Sequence, residues 1–204
     1  MNDLAKQEEV WLLVLAAGFS TRMGSQKLLL NVEGESLVRY LTKRLLTTKV
    51  DGIVIITNSA FPEVKAEVKE MPVVILENNQ AQLGMSTSLK RGIAYLMERH
   101  VSAAIVVLAD QPEINVNIIN SMANEYRSSK QAILQAHYLN TPSHPVLFSS
   151  RLYAKLLEIT GDNGAKQILR ENRDSVHYVH INEYAPIDID TLDEYQAYLQ
   201  RLNS

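Results

Sequence analysis

The chain reads as an α/β protein with a mostly parallel central sheet and helices on both faces, and two patterns predict this. Short apolar runs, Leu12-Leu13-Val14-Leu15-Ala16-Ala17, Ile53-Val54-Ile55-Ile56, Val73-Val74-Ile75-Leu76 and Ala103-Ala104-Ile105-Val106-Val107-Leu108-Ala109, have strand length and no polar alternation. Strands covered on both faces require that. Between them, apolar residues recur every three or four positions, the spacing of helices that bury one stripe. Strand and helix thus alternate, the pattern of sheets whose crossovers are helical. With 204 residues, 46% of them hydrophobic, and no marked linker, a single domain over 1–204 is expected.

The elements follow in order. The first run stops at Gly18 and opens a polar loop to Lys27. After a short extended piece and a turn at Gly34, Ser36 has the chemistry of an N-cap for a helix bearing Leu37, Leu41 and Leu45. Asp51-Gly52 turns into the second strand, and a short helix spans Val64 to Glu70. A polar connection over 77–88 precedes a helix with Leu89, Ile93 and Leu96 on one side. Ile118, Ile119, Met122 and Tyr126 mark the next helix, and 132–137 a strand. Pro142 and Pro145 favour extended geometry in the residues before them and stiffen the chain around His144. Leu152, Leu156 and Ile159 mark a helix, Gln167 to Glu171 another, and 175–181 a strand. Thr191 and Glu194 form a capping box for a last helix that turns Leu192, Tyr195 and Leu199 inward.

Composition excludes several functions. Twenty Lys and Arg against 23 Asp and Glu leave a net charge of −3, so bulk electrostatics offer nothing to nucleic acid. Without cysteine there is no disulfide, thiolate metal site or cysteine nucleophile. The polar start does not resemble a secretory leader, and no apolar run reaches membrane-spanning length. A cytoplasmic protein with no membrane partner is expected. His177 and His180 are three apart on a strand, hence on opposite faces, and are not expected to share a metal.

The chemistry-bearing residues cluster at strand ends. From Gly18 through Ser20, Arg22 and Gly24 to Lys27, a loop can aim backbone N–H groups at an anion while Arg22 and Lys27 supply charge for phosphate oxygens. A Walker A loop is excluded, because Gly18 and Gly24 are one residue too far apart and Ser25 holds the lysine position. A dinucleotide fingerprint is excluded because no third glycine is present. A phosphate cradle and an ordinary turn both remain open from this stretch alone. Asp110, followed by Gln111-Pro112, ends a central strand, where open α/β sheets bind ligands. Beside a phosphate loop it suits a Mg²⁺ ligand, although capping a turn is the plainer role. Ser86 and Ser88 sit at a helix start, as caps or as ligand contacts. His144, held between prolines, packs or lines a pocket. The Gly161-Asp162-Asn163-Gly164 loop caps helices or receives an anion.

Taken together, these segments resemble one family. Leu15-Ala16-Ala17-Gly18-x-Ser20-x-Arg22-Met23-Gly24-x-x-Lys27 is similar to the signature loop of molybdenum cofactor nucleotidyltransferases. Gly84-Met85-Ser86-x-Ser88, Asp110-Gln111-Pro112, His144-Pro145-Val146, Gly161-Asp162-x-Gly164 and Asp188-Ile189-Asp190-Thr191 follow in the family's order. The match spans about the whole chain, and ordered motifs are more specific than any one of them. The resemblance is to the cytidylyltransferase members, including those that serve purine hydroxylases such as xanthine dehydrogenase.

The resemblance implies a three-layer, Rossmann-like nucleotidyltransferase fold. It implies transfer of CMP from CTP to the phosphate of molybdopterin, with release of pyrophosphate, for an apo molybdenum hydroxylase. Leu15, Ala16, Ala17, Gly18, Ser20, Arg22, Gly24 and Lys27 would wrap the triphosphate. Gly84, Ser86 and Ser88 would hold base and ribose, Asp110 and Asp190 Mg²⁺, and His144, Pro145, Gly161 and Asp162 the acceptor. Arg22, Lys27 and Asp110 would be catalytic. Ala17, where guanylyl-transferring relatives usually carry glycine, leans towards CTP. Ser143 and Lys166 depart from the glycine and arginine common there, which bears on the identity of the acceptor more than on nucleotidyl transfer. The alternatives are a sugar or polyol phosphate acceptor, GTP as donor, or a non-catalytic cofactor carrier.

Overall fold

A computed structural model describes residues 8–20, 26–161 and 165–202. In chain order the elements are β1 (Val10–Ala16), the short hairpin β2 (Asn31–Val32) and β3 (Glu35–Ser36), α1 (Leu37–Leu45), β4 (Gly52–Asn58), α2 (Pro62–Val68), β5 (Val74–Asn78) and α3 (Met85–Glu98). There follow β6 (Ala103–Leu108), α4 (Val116–Ser129), β7 (Ile133–His137), β8 (Pro142–Ser149), α5 (Tyr153–Glu158), α6 (Lys166–Glu171), β9 (Val176–His180) and α7 (Leu192–Leu202). Seven strands form one sheet in the order β5-β4-β1-β6-β8-β7-β9. All run parallel except β8, which is antiparallel to both neighbours.

The sheet is the middle of three layers. Leu12, Val14 and Ala16 of β1 join a core with residues of α1, α2, α4 and α7, while Leu13 joins Leu89 and Ile93 of α3 and residues of α5 and α6 on the other face. Successive residues of β1 are therefore both buried, which is why its sequence shows no polar alternation. On the α3 side the fit is tight: a Cβ added at Gly92 would overlap the Leu13 side chain. Ser36 caps α1 as expected, accepting a hydrogen bond from the Arg39 N–H.

Two expectations change. The stiff stretch around His144 is a full strand, β8, which tolerates its prolines because Pro142 opens it and Pro145 lies within the register shift against β7, between the paired residues Ser143 and Val146. In α7, Tyr198 is the buried residue, with Tyr195, Leu199 and Leu202 beside it. Leu192, on the helix's first turn, is exposed rather than inward. The capping box forms: the Thr191 N–H donates to Glu194 Oε2 (2.8 Å) and the Glu194 N–H to Thr191 Oγ1 (3.2 Å).

Candidate active site

From β1 the chain builds β4 and β5 on one side, then returns to place β6 on the other. The carboxyl ends of β1 and β6 thus flank the topological switch point, where crossover loops part and leave a crevice. A cavity of about 320 Å³ lies there. Its walls include Leu15, Ala16, Ala17, Gly18, Ser20, Lys27, Gly84, Ser88, Asp110 and Asp190, so ten expected site residues meet in one place. Arg22, Gly24 and Asp162 lie outside the described residues.

Gln26, unremarked in the sequence, closes the base of the first loop. It accepts from the Ser20 hydroxyl (2.8 Å) and donates to the Gly18 carbonyl (3.2 Å), while the Lys27 N–H donates to Ser20 Oγ (3.1 Å). Ser20 itself adopts φ 52°. The loop's two ends are tied together on either side of residues 21–25, and Gln26 places Lys27 at the head of a short 3₁₀ turn facing the cavity.

Lys27 Nζ donates to Asp110 Oδ2 and to Asp190 Oδ1, each at 2.7 Å. Burial disfavours its charge, but the attraction and hydrogen bonds of Asp110, then of Asp190, outweigh this and hold its pKa above the ordinary lysine value. The carboxylates come from distant segments joined by backbone: the Ile189 N–H donates to the Asp110 carbonyl (2.9 Å). Gln111 Nε2 donates to Asp188 Oδ1 (2.7 Å), fixing the neighbouring acid. Burial pushes the Asp188 pKa up, against the Gln111 hydrogen bond. Gln111 carried no role in the sequence reading, and nothing local pointed to Asp188 as its partner.

The donor set fits a small divalent ion. Asp110 Oδ1 is buried and has no hydrogen-bond partner, an arrangement that is costly unless something binds it. Asp190 contributes a second oxygen within reach of the same ammonium. Among the described residues no group of three or more His, Cys, Asp or Glu could hold a metal. Two carboxylates with the remaining positions left to phosphate and water suit Mg²⁺ or Mn²⁺ rather than a closed structural site.

At the other end of the cavity, Gly84 (φ 105°) turns the chain into α3 and is its N-cap, with no side-chain cap. Ser88 faces the cavity and accepts from Asn78 Nδ2 (2.9 Å). Ser86 is buried, does not line the cavity, and donates its N–H to the Gly161 carbonyl (3.2 Å). His144, Pro145 and Gly161 also lie off its walls. His144 is close enough to feel Asp110, and burial lowers its pKa to about 4, ahead of the opposing effect of Asp110 and the assisting one of Lys166.

A tied loop, a lysine and a carboxylate pair at the switch point of a parallel sheet are the parts of a nucleotide-binding transferase domain. The chain belongs to the MobA-like NTP transferase domain family, whose profile matches residues 12–176, and it is a nucleotidyltransferase of that family. It is similar to the purine catabolism protein PucB of Bacillus subtilis (strain 168), 24% identical over 190 residues covering 89% of this chain and 91% of that protein. It is also similar to the probable molybdenum cofactor guanylyltransferase of Thermococcus sibiricus, 26% identical over 141 residues, 66% of this chain and 65% of that one. The fold is shared with Rv0371c of Mycobacterium tuberculosis H37Rv, at TM-score 0.84 and 22% identity over 95% of this chain and 99% of that one. Among the described residues no helix is long and apolar enough to cross a membrane.

Proposed function

We propose that this chain is a single-domain cytoplasmic cytidylyltransferase that moves CMP from CTP to the phosphate of molybdopterin, releasing pyrophosphate, for delivery to an apo molybdenum hydroxylase. The observation that carries the reading is the contact of Lys27 with both Asp110 and Asp190 on the wall of the switch-point cavity. An acceptor phosphate oxygen attacks the α-phosphorus of CTP in line; a new P–O bond forms as the bond to the β-phosphate bridging oxygen breaks. The attacking phosphate is already anionic, so positioning and charge stabilisation do most of the work.

The backbone from Leu15 to Ser20 lies against the triphosphate, and Arg22, Gly24 and Lys27 complete the loop around it. Arg22 and Lys27 stabilise the leaving pyrophosphate. Gly84 and Ser88 bear on the nucleoside, with Ser86 behind them anchoring the turn through Gly161. Asp110 and Asp190 would hold Mg²⁺, which when bound neutralises charge on the phosphates. His144, Pro145, Gly161 and Asp162 are assigned to the acceptor, as the resemblance implies. The names of relatives support parts of this: PucB is a purine catabolism protein, the Thermococcus sibiricus relative is a probable molybdenum cofactor guanylyltransferase, which supports the acceptor and not the base, and one Rv0371c structure is a complex with manganese.

The test is pyrophosphate release from CTP, GTP, ATP and UTP, with molybdopterin, with sugar or polyol phosphates, and with neither. Release that needs CTP and molybdopterin together is expected. Turnover with a sugar phosphate alone, or tight cofactor binding without any turnover, would overturn the reading.

A further inference from the structure

The cation between Asp110 and Asp190 belongs to the chain itself. Lys27 Nζ lies 2.7 Å from an oxygen of each acid, its side chain is nearly buried, and all three residues share one cavity wall. Two carboxylates held this close repel each other unless a positive charge separates them. We infer that Lys27 is a resident counter-ion: it holds the carboxylate pair together in the nucleotide-free enzyme and is exchanged for the divalent ion when nucleotide enters. The inference rests on Asp110 and Asp190 being the metal pair, and not on the identity of base or acceptor.

The exchange follows from crowding and charge. Mg²⁺ binds carboxylate oxygens at about 2.0–2.1 Å, and an ammonium already on those oxygens opposes a second cation there. Lys27 has somewhere to go, since it stands at the end of the Gly18 loop and its flexible stem carries a point charge able to change partners within the same cavity. Asp110 Oδ1, buried and without a hydrogen bond, is an oxygen left for an ion that takes the ammonium's place. Metal entering alone must displace a cation with no new partner for it. Metal entering with a triphosphate gives Lys27 the phosphates instead. Each ligand therefore strengthens the other's binding, and by linkage the coupling is reciprocal.

The experiment is a Mn²⁺ titration of the whole chain without nucleotide, following free Mn²⁺ by electron paramagnetic resonance. Lys27→Met is expected to bind Mn²⁺ at least about tenfold more tightly than wild type, since one repelling charge in contact is removed; Lys27→Gln should shift in the same direction. Adding Asp110→Asn to Lys27→Met should abolish the gain. In the unaltered protein, saturating Mn²⁺ should raise amine labelling at Lys27, read by mass spectrometry, and leave other lysines unchanged. Folded Lys27 variants with wild-type Mn²⁺ affinity, or Lys27 labelling indifferent to Mn²⁺, would overturn the exchange while leaving the metal pair standing. Mn²⁺ retention with CTP that ignores Asp110→Asn would overturn the metal pair and the exchange with it.

Discussion

The Ile189 N–H donates to the carbonyl of Asp110 over 2.9 Å, and this bond brings the segment carrying Asp190 alongside the end of β6. With Lys27 it gathers three groups from across the chain, Lys27 lying 83 residues from Asp110 and 163 from Asp190. Asp110→Asn keeps the side-chain shape but removes the charge. Turnover measured by pyrophosphate release should fall by about 10²–10³, in the range for losing one preorganised charge contact. The melting temperature should stay within a few degrees of wild type, as the backbone bond is untouched.

Gln26→Ala should act through the loop rather than the chemistry. It removes the acceptor for the Ser20 hydroxyl and the donor to Gly18, so the loop proposed to hold the triphosphate loses its tether. A drop of about tenfold in kcat/KM for the nucleotide is expected, while a steady-state assay should return an unchanged KM for the acceptor.

Base choice should respond to Ala17. It lies on the cavity wall and its carbonyl is fixed by Asn58 Nδ2 at 3.2 Å. Ala17→Gly should lower the ratio of kcat/KM for CTP over GTP, by about tenfold for the loss of one methyl group from a fitted wall. Competition between the two nucleotides in one assay reads the ratio directly.

Acid stability should depend on His144. Its folded pKa of about 4 lies below the ordinary 6.5 because partial burial disfavours its charge. Between those values the unfolded chain binds more protons than the folded one. The contribution is complete above about pH 6.5 and is lost as pH falls towards 4, a change of up to about 3 kcal/mol. Asp188, whose pKa is raised by burial, works in the opposite sense, losing stability as pH rises. Thermal melts of wild type and His144→Gln from pH 7 to 4 should show a shallower slope in the variant.

Gly92→Ala tests the fit of α3 against β1. Alanine favours a helix by about 1 kcal/mol over glycine, yet its Cβ would overlap Leu13 in a packed core. Overpacking costs about 1–3 kcal/mol, so a lower unfolding midpoint is expected. In a Leu13→Ala background the same change should cost less, because the two positions are in contact.

The frame of the fold was legible because the strands are buried on both faces and the helices are one-sided, so each leaves a distinct periodicity. Asp110 stood out because a carboxylate ending an apolar strand has few places to be. The partners of Lys27 were not legible: the sequence assigned it to phosphates, and a contact across 163 residues leaves no local signal. Gln26 and Gln111 were hidden for the same reason, as their work is to fix other side chains. β8 was obscured by its prolines, and Leu192 was placed inward because periodicity gives a stripe but not where the stripe runs off the core. The spacing of His177 and His180 correctly separated them. The register instead sets His180 beside His137 across β7 and β9, with ring centroids 5.2 Å apart, a pairing no spacing could give.

Asp190 comes after β9, the last strand of the sheet. During synthesis, a ribosome therefore delivers every strand before it delivers the second carboxylate. The site therefore draws on both ends of the chain, and the lysine that follows β1 meets its second carboxylate only in the segment that follows the sheet.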